Sequence, residues 1–203
     1  MAAENDTEVK VATEVEDGPA PHDPEGIMLE DARTAVDKFE GAVQKFLERG
    51  GHIGVPTGID NIIVNLARLA VQAISYADIM VYGLTDPRMV KLYARVEAAK
   101  NLIRKADRDD LFPIEQKKSS ESLLRDTIGT YEQLVVIYMG RPRQEEMMDV
   151  IKHASNVTVA FLKARLNGVD IMEFGIRYSE ARDEFKGALL ATDVPLAVMG
   201  KGQ

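Results

Sequence analysis

Cysteine and tryptophan are both missing from this chain of 203 residues, and histidine occurs only three times. Without cysteine there is no disulfide, no thiolate nucleophile and no Cys-based zinc site. The histidines are His22, His52 and His153, far apart in the chain. A di-iron bundle needs Glu-x-x-His pairs on two helices plus further glutamates. Glu146, Asp149 and His153 share one helical face by their spacing but do not make that pair. They read as a solvated charged face. Gly-x-Ser-x-Gly, the elbow that would present a nucleophilic serine, does not occur. Asp107, Asp109 and Asp110 lack the Asp-x-Asp-x-Asp-Gly order of a calcium loop and read as a turn. The run from Gly50 to Gly58 holds four glycines, but no strand precedes it and no Lys-Ser/Thr pair follows, so it reads as a connector rather than a phosphate cradle. The expectation is no metal, no cofactor and no catalytic residue: not an enzyme.

Charge is unevenly placed. The first 26 residues hold eight acids and a single base, Lys10. They account for nearly all of the net charge of −8 and leave the body almost neutral. The same stretch holds Pro19, Pro21 and Pro24 and no aromatic residue, so it cannot bury enough apolar surface to offset chain entropy. It is expected to be a disordered acidic tail. It carries no signal-peptide pattern, because an apolar run is lacking.

What the chain does have is helical punctuation. Apolar residues recur at three- and four-residue steps in six segments, about 28–49, 58–82, 87–106, 121–139, 142–167 and 171–191. Gly50-Gly51, Gly140 and Gly168 supply stops. Thr85-Asp86-Pro87 is a start signal, and Asp170 is placed to cap the sixth segment. Gly129, inside the fourth segment, predicts a close helix crossing. Loops this short make consecutive helices neighbours. The predicted fold is therefore all-α: one bundle of five to six mostly antiparallel helices at 27–193, built around the second helix, with the acidic tail at 1–26 and an arm at 194–203.

The second segment stands apart. Its polar residues Asn61, Asn65, Arg68, Gln72 and Ser75 form one narrow stripe on an otherwise apolar rod. Such a helix is central to a core, lies in an oligomer interface, or crosses a membrane. Arg68 and Asp78 inside the run and the amphipathic character of the other helices argue against a membrane span. The end of the chain is also apolar, with Val194, Leu196, Val198 and Met199. It packs back on its own bundle or docks on a neighbour as an exchanged arm. Ile62, Leu66, Leu69 and Ala73, together with those four, are the candidate self-association residues, and a homo-oligomer is expected.

The third segment carries Arg88, Lys91, Arg95, Lys100, Arg104 and Lys105 against a single acid, Glu97. These six are the candidate nucleic-acid contacts. Lys100 is rotated roughly 140° from Arg95, so the charges make a patch for phosphate rather than a groove-reading line. In outline, long helices and short turns are similar to those of helical virion and packaging subunits, namely filament coat proteins and the small terminase subunits of tailed phages. That likeness carries over no residue. The leading expectation is a non-catalytic, self-associating assembly protein, cytoplasmic or part of a virion-like particle. A nucleic-acid-binding packaging or coat subunit comes second. An enzyme with a carboxylate-lined cleft comes third.

Overall fold

The computed structural model describes residues 26–50, 58–83, 86–114, 118–141 and 143–191. The acidic tail, the glycine loop with His52, and Val194, Leu196, Val198 and Met199 of the apolar arm lie outside the described residues. Within them all regular structure is helical: α1 Ile27–Glu48, α2 Gly58–Ala77, a π-helical turn Asp78–Tyr82, α3 Pro87–Lys105, α4 Ser120–Tyr138, α5 Gln144–Leu166 and α6 Met172–Ala191.

The helix ends follow the local chemistry. The Asp86 carboxylate accepts the Arg88 amide at 2.8 Å, ahead of Pro87, whose missing N–H does no harm in a first turn. Ser119 Oγ accepts the Ser122 amide at 3.1 Å and starts α4 one residue earlier than its apolar spacing suggests. Asp170 Oδ1 accepts the Met172 amide at 3.0 Å. Gly168 ends α5 at φ 73°, a left-handed conformation that an L side chain resists.

Packing divides the helices into two groups. α1 lies against α2 and α3, and α4 lies against α5 and α6. The groups meet where α2 and α3 contact α5 and where the π-helical turn contacts α6. Phe39, Ile63, Ile74 and Tyr93 fill the first group, and Ile128, Tyr131, Phe161, Tyr178 and Phe185 the second; all are buried. The Tyr131 and Phe185 rings meet edge-on at 6.0 Å, and Phe161 lies 5.7 Å from Tyr178. Each large apolar side chain taken out of water contributes roughly 1.5–3 kcal/mol.

Three expectations need correction. The most enclosed helix is α5, not α2: α5 buries Met147, Val150, Ala154, Val157, Phe161 and Ala164, and its alanines let neighbours approach from several sides. Among the described residues no close crossing exists at Gly129, where an added Cβ would meet nothing within 4 Å. Finally, the second helix does not stay α-helical to residue 82. Its last turn widens into the π form, in which the Gly83 amide donates to the Asp78 carbonyl at 3.0 Å.

Candidate self-association surface and buried carboxylate

At 3.6 residues per turn, Ile63, Ala67, Ala70, Ile74 and Ala77 fall within one arc of about 80° on α2. All five are buried. Ile59, Ile62, Leu66, Leu69 and Ala73 fall within the adjoining arc of about 80°. There the cover among the described residues is partial: Ile59 is 41% exposed and Ile62 55%, while Leu66, Leu69 and Ala73 are half-buried, Leu66 and Ala73 against the core. Beyond them lie Asn61, Asn65 and Arg68, all exposed. Ser75 leaves that polar stripe. It is buried, and its hydroxyl donates to the Val71 carbonyl at 2.8 Å. The apolar arc of α2 is thus wider than the part its described neighbours bury, most of all at the Ile59–Ile62 end. The span Gly58–Tyr82 is long and apolar enough to cross a membrane by length and composition, and under half of it is buried.

Most of the cations of α3 are engaged. Arg88 pairs with Asp86 at 2.7 Å and lies over the Tyr82 ring at 4.7 Å. Arg95 reaches across to α1, to Asp37 at 2.6 Å and Glu40 at 2.5 Å. Lys100 pairs with Glu97 at 2.7 Å. Arg104 donates to the Phe112 carbonyl at 2.7 Å and to Asn101 at 2.6 Å, with Glu97 at 3.8 Å. Lys91 and Lys105 are exposed. Sequence spacing opposes only Glu97 to these six; the fold adds Asp37, Glu40 and Asp86. Burial works against ionisation of Glu97, and Lys100, followed by Lys163 and Arg104, outweighs it and holds the carboxyl below its ordinary range. The stripe therefore presents alternating signs rather than one basic patch.

Asp78 is the residue that sequence reasoning missed. It entered only as a charge that a membrane helix would not tolerate. In the structure its relative exposure is 0%. Oδ2 accepts the Tyr178 hydroxyl from α6 in a short hydrogen bond; the Thr158 hydroxyl from α5 lies 3.3 Å away and shares its proton with the Ala154 carbonyl at 3.1 Å. Among the described residues Oδ1 has no hydrogen-bond partner, and the buried Tyr131 hydroxyl on α4 has none either. No cation is bonded to the carboxyl among the described residues. Burial pushes Asp78 up to about 7, against the smaller pull of the Tyr178 hydroxyl, the Arg182 charge and the Thr158 hydroxyl. Burial, and then the charge of Asp78, push the phenols of Tyr131 and Tyr178 up as well. The signal in the sequence was an acid inside an apolar run, a placement that requires donors from elsewhere in the chain.

Between α4 and α5 runs an open groove of about 390 Å³ lined by Asp126, Thr130, His153, Asn156 and Lys163 over Leu123 and Val159. Asp126 is its one carboxylate, and it pairs with Lys118 at 2.5 Å. Thr127 and Thr130 spend their hydroxyl protons on the Leu123 and Asp126 carbonyls one turn back. The groove is the furrow expected between two packed helices. Among the described residues, no group of three or more His, Cys, Asp or Glu side chains is placed to hold a metal ion. Comparison with protein-family models, with curated proteins and with solved structures finds no match.

Proposed function

We propose that this chain is a non-catalytic, self-associating helical subunit whose work is assembly or scaffolding, in the cytoplasm or in a virion-like particle. The observation that carries the reading is the partly exposed apolar arc of α2. Ile59, Ile62, Leu66, Leu69 and Ala73 repeat at steps of three and four along the helix. That is the seam pattern of helix-on-helix packing, and a contiguous apolar strip of this kind marks an interaction surface. The strip also tapers from Ile59 to Ala73. Two copies crossing antiparallel about Leu66 would set the large end of one strip against the small end of the other, an arrangement suited to a two-fold contact. The proposal takes the helices as one bundle, mostly antiparallel, with Val194, Leu196, Val198 and Met199 available as an additional docking arm.

Light scattering of the full chain at micromolar concentration tests it. The expected result is a homo-oligomer that Glu at positions 59 and 62 dissociates. A strictly monomeric protein at that concentration overturns the proposal.

A second reading, nucleic-acid binding through α3, draws on the exposed Lys91 and Lys105. Arg88, Arg95, Lys100 and Arg104 already have acidic partners, so less of their charge is free to offer phosphate. The third reading, an enzyme, calls for carboxylates from different helices converging in a cleft. The α4–α5 groove offers Asp126 alone.

A further inference from the structure

We infer that Asp78 is a proton-binding switch that fastens α6 to the end of α2: with its carboxyl neutral, the π-helical turn and α6 form one closed seam, and ionisation loosens that seam.

Three contacts make the seam. The Tyr178 hydroxyl donates to Asp78. Lys186 Nζ donates to the Met80 carbonyl at 2.6 Å. Gly83, at φ 76°, lies against the tip of the Arg182 side chain from α6: a Cβ there would come within 2.9 Å of Nη1. Otherwise α6 packs chiefly on α4, so this seam is its main tie to the group formed by α1, α2 and α3.

The carboxyl sits where a charge is poorly served. Tyr178 and Arg182 face it from α6, Thr158 from α5, Tyr131 from α4, and Asp86 from the start of α3. Tyr178 donates to Oδ2, whereas the one hydroxyl proton of Thr158 is shared between Oδ2 at 3.3 Å and the Ala154 carbonyl at 3.1 Å. Arg182 acts at a distance, Asp86 opposes ionisation, and Oδ1 is left bare. A buried charge without a bonded counter-ion or full hydrogen bonding is strongly disfavoured, whereas a neutral carboxyl needs far less. Burial lifts the group to about 7, so both forms are populated near neutrality. The π-helical turn is a suitable element to respond, since such turns are rare and recur at functional positions. The inference is independent of self-association.

The test is a carbon-13 NMR titration of the Asp78 carboxyl in the full chain, run beside amide-exchange protection factors. The expected midpoint lies near neutrality. Protection of α6, relative to α1, is expected to fall about tenfold or more between about pH 6 and about pH 8.5. In Asp78→Asn it stays flat. A midpoint in the ordinary aspartate range overturns the inference, as does the same pH dependence in Asp78→Asn. Should that variant not fold, Tyr178→Phe removes a donor to the carboxylate and is expected to move the midpoint upward. An unmoved midpoint in Tyr178→Phe also overturns it.

Discussion

Asp78 and Gly129 show how little a residue type says until its surroundings are known. Asp78 has its folded-state value raised from 3.8 to about 7, so the native state keeps a proton that the unfolded chain releases in between. Its contribution to stability is complete below about pH 3.8 and is lost as pH rises through 7. Asp78→Asn is therefore expected to be more stable than the parent above neutrality, by on the order of 1–3 kcal/mol. The gain should shrink as pH falls from 7 and vanish only below about pH 3.8, as read from urea denaturation across that range. A mutant that is less stable than the parent at high pH contradicts this. Gly129 sits mid-helix with open space where a Cβ would go. Gly129→Ala is expected to raise stability by about 0.5–1 kcal/mol, because only the helical entropy cost of glycine is removed. A loss of stability would mean that the site is crowded after all.

Among the elements, α2 divides its apolar surface between a buried arc and a partly exposed one. The double variant Ile59→Glu with Ile62→Glu is expected to weaken self-association by about 100-fold, on the order of 3 kcal/mol. Both side chains are exposed, so monomer stability should stay within about 0.5 kcal/mol. Sedimentation measures the first quantity and denaturation the second; unchanged association would remove α2 as the interface. The start of α3 is tied locally. Asp86 accepts the Arg88 amide and also binds its guanidinium. Asp86→Ala is expected to cost about 1–2 kcal/mol through loss of the cap, whereas Arg95→Ala, whose ion pairs to α1 are partly solvated, should cost at most about 1 kcal/mol. Equal losses in the two variants would contradict this ranking.

For the whole molecule, the charge balance makes a distinct prediction. The body outside the acidic tail is nearly neutral, and four of the six α3 cations have acidic partners. Any binding to duplex DNA is expected to be weak at physiological salt, with a shallow salt dependence set by Lys91 and Lys105. Replacing Arg88, Arg95 and Lys100 with alanine should therefore change affinity little, and adding Lys91→Ala should lower only what weak binding there is. A steep salt slope that collapses in this quadruple variant would instead support the packaging reading.

Helix content, most helix ends and most core positions were legible in the sequence, because they depend on local chemistry: a three-to-four repeat, a cap at Asp86 or Asp170, a left-handed glycine at 168. The basic character of α3 was legible too, but not its neutralisation, because Asp37 and Glu40 lie on another helix. The same limit hid the site at Asp78. Its meaning rests on Tyr178, Thr158 and Tyr131, which lie between 53 and 100 residues away in the chain and meet it only when α4, α5 and α6 close around the end of α2. Periodicity sets which face of a helix is apolar. Only the packed structure decides how much of that face the chain covers with itself, and among the described residues it leaves Ile59 and Ile62 of α2 exposed.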